Sequence, residues 1–190
     1  MEGLHNVKLE DFISELGTVT LKEFQARFSH PFLVVERRMD ERDTRAFRTL
    51  SPEEDTRGRT QVRDEEDGEA PLVYEGEPYV YAVQKSGRNA FKNMITVGRS
   101  LNNDVVLQHA AVSKLHAFFR EEETSSEFSL TDVGSTNGTY LREKLIEPNK
   151  AYPIESKQAV YFGGALRGTF FLADDFYGYL DVFRRLQENS

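Results

Sequence analysis

The chain of 190 residues contains no cysteine. That excludes a disulfide framework, a thiolate metal site and a cysteine nucleophile. No apolar run approaches the roughly 18 residues that a membrane-spanning helix requires. The first residues, MEGLHNVKLEDF, lack a basic region followed by an apolar stretch, so no secretory signal is expected there. Basic charge is in deficit, with 24 Lys and Arg against 32 Asp and Glu. A general nucleic-acid binder needs a basic face, so neither nucleic acid nor membrane is an expected partner. The expectation is a cytoplasmic protein, long enough to bury a core without covalent staples.

The acidity is local. Residues 1–77 carry 11 Lys and Arg against 19 Asp and Glu, whereas residues 78–190 carry 13 of each. This asymmetry predicts a neutral domain behind an acidic arm. Within the first 38 residues, Leu9, Phe12, Ile13 and Leu16 keep helical spacing up to Gly17, a plausible cap. Thr20 and Glu23 have the spacing of a capping box, ahead of Leu21, Phe24 and Phe28. Pro31 ends that helix, and Phe32–Val35 reads as a short strand or buried run. Residues 1–38 are therefore expected to form a small helical module, either packed on the main domain or docking a partner. Residues 39–70 are mostly charged and offer too little apolar surface to offset ordering entropy, which predicts a linker. Its four threonines, Thr44, Thr49, Thr56 and Thr60, are open to a kinase. Thr56, after Glu53-Glu54-Asp55, and then Thr49 are the candidate phosphorylation sites.

From residue 71 the pattern changes to short β segments divided by Gly, Asn, Asp and Ser. Nine strand candidates begin at Tyr79, Met94, Val105, His116, Glu127, Gly138, Tyr152, Ala159 and Thr169. Their close spacing predicts a mainly β protein, an antiparallel β-sandwich over 71–173. Residues 174–190 read as a C-terminal helix: Phe176, Tyr179, Leu180 and Phe183 share a face, with acids first and Arg184 and Arg185 late.

Three loop segments carry chemistry: Gly98-Arg99-Ser100 after a strand, Ser113-Lys114-Leu115-His116 before one, and Ser135-Thr136-Asn137-Gly138-Thr139 between two. Together they offer a guanidinium, an ammonium, hydroxyls, an amide and close-approach glycines. That set suits a tetrahedral dianion. The inventory Ser113, His116 and Asp132 also matches the residue types of a hydrolase triad, but no Gly-x-Ser-x-Gly elbow surrounds Ser113. His109 and His116 have no third ligand for zinc, and no metal, cofactor or enzymatic activity is expected.

In these three motifs, and over roughly residues 78–173, the sequence resembles the forkhead-associated (FHA) domain, a β-sandwich that binds phosphothreonine peptides. The resemblance implies that Arg99 and Ser113 contact the phosphate with Lys114 beside them. Thr136 would shape the pocket and Asn137 would hold the peptide main chain after the phosphothreonine. Gly98, His116 and Gly138 would be structural. The implied function is signalling by binding a phosphothreonine-containing protein, with a Ser/Thr kinase or its substrates as partners. The alternative is a phosphate-independent scaffold using the sandwich face or the N-terminal helices.

Overall fold

A computed structural model describes residues 7–16, 19–38, 74–122 and 127–188. The expected linker with Thr44, Thr49, Thr56 and Thr60, and the cap at Gly17, lie outside the described residues.

The chain runs β1 (Val7–Lys8), α1 (Leu9–Leu16), α2 (Leu21–Arg27), β2 (Phe32–Arg38), β3 (Tyr74–Ala82), β4 (Ile95–Gly98), β5 (Val105–Val106) and β6 (Ala117–Glu121). It continues through β7 (Phe128–Asp132), β8 (Thr139–Leu141), β9 (Lys144–Leu145), β10 (Ala151–Ile154), β11 (Gln158–Phe162), β12 (Leu166–Phe171) and α3 (Ala173–Glu188). The strands form two sheets, ordered β1-β3-β2-β12-β11-β8-β9 and β10-β7-β6-β4-β5. Every pairing is antiparallel except β4 with β5. All nine expected strands are present, which makes the fold the expected mainly β sandwich.

Strand β2 decides how the N-terminal region sits. The sequence reading groups Phe32–Val35 with the N-terminal helices. In the structure β2 lies inside the larger sheet, pairing with β12 on one side and β3 on the other. The cause is burial on both faces. Leu33 and Val35 point into the core between the sheets, and Phe32 and Val34 into a second core on the outer face. An extended strand sends successive side chains to opposite faces, so four consecutive apolar residues satisfy both cores at once.

The second core is where the helices belong. Leu9, Phe12, Ile13 and Leu16 of α1, Phe24 of α2, and Phe176 and Leu180 of α3 bury together against Phe32, Val34, Val80 and Phe171. The Phe32 and Phe176 rings stack at 4.3 Å. The capping box forms as the spacing predicts, with the Glu23 carboxylate accepting from Thr20 N–H at 2.9 Å. Polar ties join the two ends of the chain: Gln25 Nε2 donates to Asp174 Oδ1 at 2.8 Å, and Tyr177 O–H to the Val19 carbonyl at 3.1 Å. The helices thus cap the outer face of the seven-stranded sheet, opposite the inter-sheet core.

Strand directions gather the motif loops. β4 and β7 end, and β6 and β8 begin, at one end of the sandwich, since Ala117 pairs with both Val97 and Asp132. The loops 99–104, 107–116 and 133–138 therefore share that end. The turn 163–165 joins them, because Phe162 pairs with Thr139.

Candidate functional site

Glycine starts the site. A Cβ on Gly98 would sit on the Lys114 carbonyl and 2.9 Å from Asn103 Nδ2, so only glycine lets the two loops close. With that approach made, Arg99 N–H donates to the Ser113 carbonyl at 3.0 Å and Ser100 N–H to the Lys114 carbonyl at 3.2 Å. The loops carrying Arg99, Ser113 and Lys114 are laced edge to edge.

Asn103 locks this seam. Its side chain is 3% exposed, and Nδ2 donates to the Ser100 carbonyl at 2.8 Å and the Lys114 carbonyl at 2.7 Å. Nothing in its sequence neighbours, Asn102 and Asp104, singles it out. Asp104, next along, is 2% exposed and accepts from Lys85 Nζ at 2.7 Å and Thr96 N–H at 2.9 Å. Burial raises its pKa, but the bonds from Lys85, Ser86, Asn89 and Thr96 outweigh that, and its carboxyl titrates far below the usual range.

The second seam joins Ser113 to the 135–139 loop. Thr136 N–H donates to Ser113 Oγ at 3.0 Å, and the Ser113 hydroxyl returns a bond to Thr136 Oγ1 at 3.3 Å. His116, fully buried, stands beneath both loops. Its Nδ1 accepts from Ser113 N–H at 3.1 Å, and its Nε2 faces the Gly138 carbonyl at 3.2 Å. These partners are met by the neutral tautomer with the proton on Nε2. Burial holds the imidazole below its ordinary pKa, against an opposing pull from Asp132.

Asp132 organises the third loop. Gly134 N–H, Ser135 N–H, Ser135 O–H and Thr139 O–H all donate to its carboxylate at 2.5–2.8 Å. Burial pushes its pKa up, and these four bonds more than reverse the shift, leaving it lowered. The sequence reading considered Asp132 only as a triad member. Its distance to His116 Nε2 is 4.0 Å, while Ser113 Oγ is bonded to Thr136 and not to His116. This geometry is a loop brace and not a hydrolase triad.

The remaining expected residues line the same end. Asn137 is exposed and Nδ2 donates to the Ala111 carbonyl at 2.9 Å, which fixes its amide between two loops. Gly138, at φ +77°, lies under the Leu145 side chain, and its carbonyl also accepts from Gly163 N–H at 2.9 Å. Arg99 and Lys114 are both exposed. Among the described residues neither side chain has an ion pair or hydrogen-bond partner. Two cations therefore stand at the rim of a hydroxyl-lined, internally braced end of the sandwich, with their charge unspent.

Residues 95–163 match the family model of the FHA domain. The oxoglutarate dehydrogenase inhibitor of Corynebacterium glutamicum is 36% identical over 87 residues, which cover 43% of this chain and 57% of that protein. The glycogen accumulation regulator GarA of Mycobacterium tuberculosis is 37% identical over 71 residues, 34% of this chain and 43% of that one. The FHA domain-containing protein PS1 of Arabidopsis thaliana is 29% identical over 76 residues, 40% of this chain and 5% of that protein. The chain thus spans less than two thirds of each of these relatives. Among solved structures, the MEK1 FHA domain in complex with the HOP1 pThr318 peptide aligns with 42% of this chain and 79% of that one, at 27% identity and a TM-score of 0.37.

Proposed function

We propose, from the premise that this chain carries an FHA domain over residues 95–163, that it is a phosphothreonine-dependent protein-binding module. The observation that carries this reading is the pair of exposed cations, Arg99 and Lys114, without side-chain partners among the described residues and locked beside Ser113 and Thr136. A phosphorylated threonine brings nearly two negative charges and three strong acceptors to such a place. The guanidinium supplies paired charge-assisted hydrogen bonds, Lys114 adds a point charge, and the Ser113 and Thr136 hydroxyls complete the set. Each charge-assisted bond is worth about 1.5–3 kcal/mol net, so two or three separate a phosphorylated from an unmodified peptide by several powers of ten in affinity.

The braces explain why the site is ready before a ligand arrives. Asn103, His116 and Asp132 are buried and satisfied, so the loops do not have to be ordered at the moment of binding. Asn137, with its carbonyl oxygen free of the bond to Ala111, is placed to hold the peptide main chain after the phosphothreonine. In this reading Gly98, His116 and Gly138 act through loop shape alone. The partner is a protein phosphorylated by a Ser/Thr kinase, or the kinase itself, and the setting is the cytoplasm. The chain itself acts by binding and not by catalysis.

Isothermal titration with a phosphothreonine peptide and its unmodified twin tests the reading. Binding that requires the phosphate and is lost in Arg99→Ala is expected. Equal binding of both peptides would favour the phosphate-independent scaffold.

A further inference from the structure

Residues 84–120 carry six cations, Lys85, Arg88, Lys92, Arg99, Lys114 and Arg120, and a single acid, Asp104, in a chain whose net charge is −8. Asp104 neutralises only one of them. It is buried and bonded to Lys85, Ser86, Asn89 and Thr96, and these bonds pull the 83–94 loop onto the 99–104 loop. The next cation, Arg88, is exposed and lines a pocket of about 170 Å³. Tyr81, Leu101, Val106 and Gln108 line it with Arg88, and the paired Asp104 forms part of its wall.

Apart from the Asp104 carboxylate, already bonded to Lys85, Ser86, Asn89 and Thr96, the polar side chains of the lining offer donors. The Tyr81 hydroxyl, the Arg88 guanidinium and the Gln108 amide have no bonding partner among the described residues, and all three can donate. Burial pushes the Tyr81 hydroxyl up to about 12, so it stays a neutral donor. Leu101, 68% exposed, and Val106 supply apolar surface. A pocket of this size holds one side chain, since about 150 Å³ accommodates a benzene ring. Donors, one unpaired cation and short apolar walls fit a carboxylate on a methylene stem.

The pocket and the Arg99 site draw on the same stretch of chain, since Leu101, Asp104, Val106 and Gln108 line the one and Arg99 belongs to the other. Two residues of chain span at most about 7 Å, which bounds the distance from the Arg99 Cα to the Leu101 Cα. Leu107 N–H donates to the Gly98 carbonyl at 3.0 Å, so Gln108 starts out beside Arg99. An extended peptide advances about 3.3 Å per residue, so a phosphothreonine on Arg99 brings a residue two to four positions away over the pocket. Asn137 lies across Ser113 from Arg99 and takes the chain that follows the phosphothreonine, which leaves the pocket to the chain that precedes it.

We propose that this pocket is a second subsite of the recognition surface, which accepts a Glu or Asp two to four residues N-terminal to the phosphothreonine and pairs it with Arg88. The inference rests on the phosphothreonine reading above. The whole chain is titrated with phosphothreonine peptides that have neutral flanks, or a single Glu scanned through the preceding or the following positions. Wild type, Arg88→Gln and Arg88→Glu are compared at low and high salt. Expected is a gain of about three- to fivefold for Glu at a preceding position, reduced by salt, absent in Arg88→Gln, and transferred to a Lys-bearing peptide in Arg88→Glu. Neutral phosphopeptide should bind all three proteins alike. No gain, a gain confined to the following positions, or a gain that survives Arg88→Gln would overturn the subsite while leaving the Arg99 site standing. If the neutral phosphopeptide binds no better than its unmodified twin, the Arg99 reading and the subsite fall together.

Discussion

Asn103→Ala separates a brace from a contact. In the native chain one amide nitrogen serves two carbonyls, Ser100 at 2.8 Å and Lys114 at 2.7 Å, in a place where the side chain is 3% exposed. Removing it leaves both acceptors without that donor. A buried group that loses its partner costs about 1–3 kcal/mol. The Lys114 carbonyl keeps the bond from Ser100 N–H, so its loss falls at the lower end. The Ser100 carbonyl keeps the bond from Asn103 N–H at 3.1 Å, which trims the other. The expected destabilisation is therefore about 1–3 kcal/mol, roughly a tenth to a third of the ~10 kcal/mol stability of an ordinary domain. The same change frees the loop bearing Lys114 from the loop bearing Arg99, so phosphopeptide affinity should fall about tenfold or more as ordering entropy moves onto the binding step. Urea denaturation read by far-UV circular dichroism gives the first quantity and calorimetric titration the second. Asn103→Asp adds a control, since a carboxylate cannot donate to two carbonyls and should be at least as damaging. A variant with wild-type stability and wild-type affinity would refute the clamp.

Arg99→Ala should abolish phosphopeptide binding with a stability change within about 0.5 kcal/mol, because an exposed side chain without partners among the described residues removes charge and not core volume; the pair of measurements above checks it. Gly98→Ala should unfold the seam by forcing a methyl group onto the Lys114 carbonyl, and a denaturation midpoint close to wild type would show that the loops tolerate the displacement. His116 is held below its ordinary pKa by burial, so the folded state prefers the neutral ring. Its contribution is present above about pH 6.5 and is lost as the pH falls through the lowered folded value; wild type should lose more stability than His116→Gln between about pH 7.5 and 5, and equal losses would remove His116 as the source. Phe176→Ala should cost about 3–5 kcal/mol by emptying the helical core around Phe32, Phe12 and Phe171, while phosphopeptide affinity in the variant that remains folded is unchanged.

Local signals in this chain are strong where one face of an element is wet. The apolar spacing of α1 and the Thr20 and Glu23 box of α2 mark the helices, and the close spacing of the strand candidates from Tyr79 to Thr169 makes the sandwich legible. The three motif loops are legible too, because glycine, arginine, serine and asparagine at strand ends have few other uses in combination. The structure brings Gly98, Arg99, Ser113, Lys114, His116, Thr136, Asn137 and Gly138 to one end through strand pairing alone.

What the sequence determined by itself was therefore the class of fold and the chemistry offered at its loops, since both rest on residue type and short spacing. The tertiary structure alone decided three other matters. Phe32–Val35 became a central strand because two cores cover it, and burial on both faces erases the alternation that would have marked it. Asn103 and Asp104 became braces because partners of theirs come from other loops; Asn103 meets Lys114 eleven residues on, and Asp104 meets Lys85 nineteen residues back. Arg88 lines one pocket with Leu101 and Val106, well along the chain from it, in a loop tied to Asp104 through Ser86 N–H. A polar residue in a turn looks the same in sequence whether it faces water or a buried carbonyl. Which it faces is settled by chain closure over long separations, and that is information that no window of neighbouring residues contains.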